Sequence, residues 1–190
     1  MAERVHPLAD YEDRLAATMG TVQVRPAAFL AQVGLRVDPA SAGARRVAEA
    51  LAVELPANNR VAAADGVRVL WLGPDEWLVV GADGDEAGLV DLLERALDGD
   101  GAVVDLSGNR CGIALEGPQA RDLLATCCSI DLHPRVFGPG HCAQTLLQKA
   151  PVLIEQTGED AFLLLVRPSF AAYVAEWLLD GVDGFVADVA

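Results

Sequence analysis

The feature that most constrains the fold of this chain is an order of elements that occurs twice. Asp98-Gly99-Asp100-Gly101-Ala102-Val103-Val104-Asp105 is echoed by Asp180-Gly181-Val182-Asp183-Gly184-Phe185-Val186-Ala187-Asp188. Ala44-Arg45 leading to Glu54-Leu55-Pro56 is likewise echoed by Ala120-Arg121 leading to Asp131-Leu132-His133-Pro134. Each half reads strand-helix-strand-strand-helix-strand, the order of a ferredoxin-like unit. The expected fold is therefore α+β: two tandem ferredoxin-like βαββαβ units packed as one domain, not a parallel nucleotide-binding sheet. Residues 1–28 read as a polar N-terminal arm with an amphipathic stretch from Tyr11 to Met19. Residues 29–190 read as one duplicated domain, with halves of approximately 29–107 and 108–190.

Local patterns supply the elements. Phe29 to Val37 alternates as a strand does. Ala44, Val47, Ala48 and Leu51 keep the spacing of one buried helix face. Val67–Leu72 and Glu76–Val80 form a hairpin through Gly73-Pro74-Asp75, with Trp71 and Trp77 in its core. Asp85 is placed to cap a helix carrying Leu89, Leu92, Leu93, Ala96 and Leu97. Asp98-Gly99-Asp100-Gly101 ends that helix, and residues 102–106 form the next strand. In the second half, Cys111–Leu115 is a strand, and Gly117-Pro118 opens a helix with proline in its first turn. Strands are expected at Cys142–Lys149, Val152–Gln156 and Ala161–Val166. A helix from Pro168 carries Phe170, Tyr173, Val174, Trp177 and Leu178 on its apolar face. Gly181 is expected to stop it before a closing strand at Phe185–Ala187.

Charge narrows the partners. The 190 residues hold 28 Asp and Glu against 14 Lys and Arg, a net charge of −14. Phosphate backbones and anionic membrane surfaces repel such a chain, so neither nucleic acid nor membrane is an expected partner. Apolar runs such as Ala161–Val166 fall far short of the ~20 residues a membrane helix requires. The charged start lacks the apolar core of a secretory signal. A soluble, cytoplasmic protein is expected, with Cys111, Cys127, Cys128 and Cys142 reduced.

The motifs of common chemistries are missing or misplaced. Asp98-Gly99-Asp100-Gly101 follows a helix and precedes a strand, the reverse of a dinucleotide loop. No G-x-x-x-x-G-K-[ST] phosphate loop occurs. His141 and Cys142 are neighbours entering a strand, so their side chains face opposite ways and do not make a catalytic couple. Cys127, His133, His141 and Cys142 fit no common zinc spacing. Trp71, Trp77 and Trp177 could stack on a flat ligand, but continuous apolar stripes favour core packing. No catalytic, cofactor-binding or metal-binding residue is assigned.

Several segments, in order, resemble the gamma subunit of heterotetrameric sarcosine oxidase. They are His6-Pro7-Leu8, Phe29 through Pro39, Leu70-Trp71-Leu72-Gly73-Pro74-Asp75-Glu76-Trp77-Leu78, Cys128 through Phe137, Gly140-His141-Cys142-Ala143-Gln144-Thr145-Leu146-Leu147, Arg167-Pro168-Ser169-Phe170 and Trp177-Leu178-Leu179-Asp180. The resemblance implies a fold related to the folate-binding aminomethyltransferases. It implies a structural subunit without catalytic residues, in a complex that oxidises sarcosine with O2 to glycine, formaldehyde or methylenetetrahydrofolate, and hydrogen peroxide. FAD, FMN, NAD, tetrahydrofolate and zinc are then expected on the alpha, beta and delta partner subunits, with no cofactor on this chain. The alternative is a stand-alone tetrahydrofolate-binding or folate-dependent one-carbon protein, although the K-G-C-Y-x-G-Q-E signature of one folate-binding relative is missing.

A subunit without chemistry acts through a surface. Between Pro134 and Pro139, the loop from Asp131 to His141 offers Leu132, Arg135, Val136 and Phe137 as candidate partner contacts, its prolines lowering the ordering cost. The competing use of Phe137 is to fold back onto the sheet of its own domain.

Overall fold

The computed structural model describes residues 4–18, 20 and 22–187. Among these residues, ten strands and five α-helices follow one another: α1 (Glu12–Ala16), β1 (Gln23–Pro26), β2 (Leu30–Val37), α2 (Ala42–Leu51), β3 (Val61–Ala64), β4 (Val67–Gly73), β5 (Glu76–Ala82), α3 (Glu86–Leu97), β6 (Gly101–Asp105), β7 (Cys111–Glu116), α4 (Ala120–Cys127), β8 (Cys142–Leu147), β9 (Ala150–Gly158), β10 (Ala161–Val166) and α5 (Pro168–Ala187). They form two compact units. One holds Phe29–Asn109 with Gly140–Ala143; the other holds Met1–Ala28, Arg110–Pro139 and Gln144–Ala190.

The first of these has the strand order β3-β4-β5-β2-β6. Without its edge strand β3, this is the antiparallel order of a ferredoxin-like unit. The two tryptophans are register partners across the hairpin, Trp71 opposite Trp77. Apolar stripes of α2 (Val47, Leu51) and α3 (Leu89, Leu93, Leu97) pack with Val33, Leu35, Val69, Trp77 and Val79 into one core. Ser41 caps α2, its side chain accepting from the Ala44 N–H at 3.1 Å. Asp85 occupies the corresponding position before α3 but makes no side-chain capping bond, so the cap expected there is a matter of position only. The turn after α3 is built on left-handed backbone, with φ of 51° at Asp98 and 87° at Gly99.

The second unit has the order β1-β7-β10-β9-β8. The same ferredoxin-like arrangement is present, with one substitution. The closing strand expected at Phe185–Ala187 is helix instead, the end of the 20-residue α5; Asp188, which completes the sequence echo, lies outside the described residues, as does Met19. The edge beside β7 is taken by β1, antiparallel with Gln23 opposite Glu116 and Pro26 opposite Ile113. Residues expected to form a polar arm thus contribute a strand, and Leu8, Leu15 and Val24 are fully buried.

Gly181 does not stop α5, and the reason is steric. A Cβ at this position would lie 2.4 Å from Leu123 Cδ1 of α4, so the glycine admits a close helix approach. The buried face of α5 is Ala171, Val174, Ala175 and Leu178, which leaves Trp177 38% exposed. The expected apolar stripe is therefore rotated, and Trp177 is a surface residue. Pro118 stands in the turn before α4, whose first residue Ala120 donates to the Gly117 carbonyl at 2.9 Å.

Candidate functional site

The segment after α4 is a turn pinned from inside. Asp131 Oδ1 accepts from the His133 N–H at 2.8 Å. His133 Nδ1 accepts from the Arg135 N–H at 3.2 Å, and its carbonyl accepts from both Val136 and Phe137. Arg121 of α4 reaches under this turn, its Nη1 donating to the carbonyls of Leu132 and Phe137. Its guanidinium also lies 5.2 Å from the ring centre of Phe162 on β10. The four residues singled out from sequence therefore divide. Leu132 and Phe137 are buried, whereas Arg135 is exposed and Val136 stands 57% exposed. The outward group is a contiguous tip, His133-Pro134-Arg135-Val136, stapled to its own unit at both ends.

The thiols act as hydrogen-bond donors. Cys142 Sγ donates to the carbonyls of Arg60 and Trp71 at 3.4 and 3.5 Å, while the adjacent His141 places Nδ1 3.2 Å from Arg60 Nη1. Both neighbours thus meet Arg60, the thiol at its backbone carbonyl and the imidazole at its guanidinium. Cys127 Sγ donates back to the carbonyls of Leu123 and Leu124, and burial pushes its pKa up to about 11. Cys128 turns instead toward Thr145 Oγ1 at 3.8 Å. Burial raises the Cys111 thiol as well, which donates to the Val166 carbonyl at 3.5 Å. Thiols raised by burial, as Cys111 and Cys127 are, make poor nucleophiles. Among the described residues, no three His, Cys, Asp or Glu side chains form a group that could hold a metal ion.

The tryptophans have three different surroundings. Trp77 is buried and gives its Nε1–H to the Pro56 carbonyl at 2.9 Å. Trp71 is half-buried and, with Trp77, Leu55, Pro39, Ala44 and Ala48, lines a cleft of about 410 Å³. Arg45, Glu54 and Asn58 also line this cleft, so its wall is mixed, apolar beside charged. Trp177 faces outward on α5.

Sequence reasoning missed Arg121. Its signal was available: one arginine beside the stripe Ala120, Leu123, Leu124 and Cys127. Its targets, 11, 16 and 41 residues along, could not be read locally.

The family model described as "Sarcosine oxidase, gamma subunit family" matches residues 33–183. The sarcosine oxidase subunit gamma of Corynebacterium sp. (strain U-96) is 42% identical over 185 residues, covering 96% of this chain and 89% of the relative. Among solved structures, a chain of the heterotetrameric sarcosine oxidase from Corynebacterium sp. U-96, in complex with pyrrole 2-carboxylate, superposes with a TM-score of 0.89 at 40% identity, covering 96% of each chain. The glycine cleavage system aminomethyltransferase T from Bartonella henselae gives a TM-score of 0.67 at 19% identity, over 88% of this chain and 48% of that one. That last likeness is one of fold.

Proposed function

The chain belongs to the sarcosine oxidase gamma subunit family, and from that premise we propose that it completes and stabilises a heterotetrameric sarcosine oxidase without supplying catalytic residues. The observation that carries this reading is the end-to-end likeness to a chain of a heterotetrameric sarcosine oxidase, 96% of each at a TM-score of 0.89. In this reading the complex oxidises sarcosine with O2 to glycine, formaldehyde or methylenetetrahydrofolate, and hydrogen peroxide. FAD, FMN, NAD, tetrahydrofolate and zinc reside on the alpha, beta and delta subunits, and the assembly works in the cytoplasm. No helix of the described residues is long and apolar enough to cross a membrane. The state of the chain's own groups supports placing the chemistry elsewhere. Trp77, a flat ring suited to a heterocycle, has its N–H committed to Pro56, and three of the thiols donate to backbone carbonyls.

The partner contact in this reading is the segment of Leu132, Arg135, Val136 and Phe137, used in two layers. Leu132 and Phe137 hold the turn from inside; Arg135 and Val136 present a cation and an apolar group to the partner. The test is co-expression of the chain with the alpha, beta and delta subunits. The wild-type chain is expected to co-elute with the flavin-bearing subunits, and Arg135→Ala with Val136→Asp to reduce its retention. A wild-type chain that elutes alone, or one that binds tetrahydrofolate at micromolar concentration by titration calorimetry, would overturn the structural reading.

A further inference from the structure

The outer face of α5 repeats a cation-binding arrangement that the chain already uses once on itself. Arg14 of α1 lies 5.4 Å from the ring centre of Tyr11. It also forks onto Glu176, with Nη1–Oε1 at 2.6 Å and Nη2–Oε2 at 2.9 Å. An aromatic face and a carboxylate together hold one guanidinium. Tyr173, Glu176, Trp177 and Asp180 follow the i, i+3, i+4, i+7 spacing that puts residues on one side of a helix. Next to the site filled by Arg14 there is thus a second carboxylate, Asp180, beside an aromatic pair. Tyr173 and Trp177 meet edge to face with ring centres 6.4 Å apart. Among the described residues, Asp180 has no ion-pair partner. With Tyr11 and Ala172 these residues line an open groove of about 450 Å³.

We propose that this groove seats an arginine side chain from a partner subunit, stacked on Trp177 and paired with Asp180. Charge selects a cationic occupant, because Glu176 is already neutralised by Arg14 and Asp180 is the groove's remaining carboxylate, on a chain of net charge −14. Planarity selects arginine over lysine, because a guanidinium lies flat on an indole while forking onto a carboxylate. The exposed tryptophan fits this use, since aromatic anchors dominate the centres of protein interfaces. The proposal rests on the chain being a subunit of a larger assembly, and it adds a second contact beside the turn at Arg135.

The test uses the co-expressed complex with the wild-type chain, Asp180→Asn, Asp180→Arg, Trp177→Ala and a control charge reversal, Asp91→Arg, on the exposed side of α3. Asp180→Arg and Trp177→Ala are each expected to lower retention of the chain at least tenfold. Asp180→Asn, which alters charge but hardly shape, should release the chain at lower salt than wild type, and the control should behave as wild type. If the wild-type chain assembles and both Asp180 variants are retained equally well, the groove is not a contact, although the subunit reading stands. If Asp91→Arg releases the chain as readily as Asp180→Arg, general charge is responsible and the proposal is overturned. If the wild-type chain does not assemble at all, both readings fall.

Discussion

Gly181 of α5 and Leu123 of α4 touch so closely that a Cβ on the glycine would sit 2.4 Å from Leu123 Cδ1. In a solvated helix, alanine would exceed glycine by about 1 kcal/mol. Here Leu123 is fully buried, so its side chain has no open space to turn into, and overpacking outweighs propensity. Gly181→Ala is expected to destabilise by about 1–2 kcal/mol net. Gly184, three residues on, has nothing within 4 Å of a built Cβ, and Gly184→Ala should stabilise by about 0.5–1 kcal/mol. Thermal unfolding of both variants checks the pair; a raised Tm for Gly181→Ala would show that Leu123 yields.

This contact also explains what was legible in the sequence. Strands β4, β5 and β10 were readable because their apolar runs and turn residues are local. Helices α2 and α3 were readable from the 3.6-residue recurrence of Val47, Leu51, Leu89 and Leu93. Gly181 was misread because glycine marks both helix ends and close helix contacts, and only the partner Leu123 distinguishes them. The edge position of β1 was invisible for a similar reason: it depends on pairing Gln23 with Glu116, and nothing near residue 23 records that. Of the candidate contacts, Arg135 and Val136 were recognisable as loop residues and the fold-back of Phe137 as its competing use, but the bonds from Arg121 to the Leu132 and Phe137 carbonyls were not readable locally.

Because β1 covers the edge of β7 and Leu8 and Leu15 are fully buried, removal of residues 1–28 should do more than trim an arm. It would bare a row of unpaired backbone groups along β7, which invites association with other chains. The shortened chain is expected to aggregate or to lose cooperative unfolding. A monomeric product with unchanged melting behaviour would show that the segment is dispensable.

Trp77 and Trp71 should differ sharply in cost, although they are register partners. Trp77→Ala empties a buried site and leaves the Pro56 carbonyl without its donor, a loss of about 3–5 kcal/mol. Trp71 is half-buried beside the cleft, so Trp71→Ala should cost less, about 1–2 kcal/mol from the smaller area returned to water. Chemical denaturation of the two variants decides; equal losses would mean that the cleft closes around Trp71.

The adjacent thiols Cys127 and Cys128 should differ in their accessibility to a labelling reagent, one being buried and the other half-buried. Burial pushes Cys127 up to about 11 from an ordinary 9.0, so the folded state keeps its thiol neutral where the unfolded chain would ionise it. The resulting stability is fully present below pH 9 and is lost as pH rises through about 11. At pH 8, iodoacetamide should label half-buried Cys128 in the native chain, with Cys127 protected until denaturant is added. Equal native labelling rates followed by mass spectrometry would contradict this.

Arg121 carries the most specific prediction, because one side chain supports the turn that presents Arg135 and Val136. Its Nη1 serves two carbonyls, Leu132 and Phe137, while its plane covers the Phe162 ring. Lysine carries the same charge but cannot both fork and stack. Arg121→Lys is therefore expected to cost about 1–2 kcal/mol, and Arg121→Ala about 2–4 kcal/mol, since hydrogen bonds from a charged donor are each worth about 1.5–3 kcal/mol. The damage should also be local. The amide protons of Val136 and Phe137, which bond to the His133 carbonyl, should exchange faster in Arg121→Lys, while those of the β9–β10 pair keep wild-type protection. In the co-expressed complex the same variant should weaken retention in the same direction as Arg135→Ala, because a turn no longer held from beneath must be ordered on binding. Unchanged exchange at Val136 and Phe137 would show that the turn is held by its own backbone bonds and that Arg121 is only a core contact for Phe162.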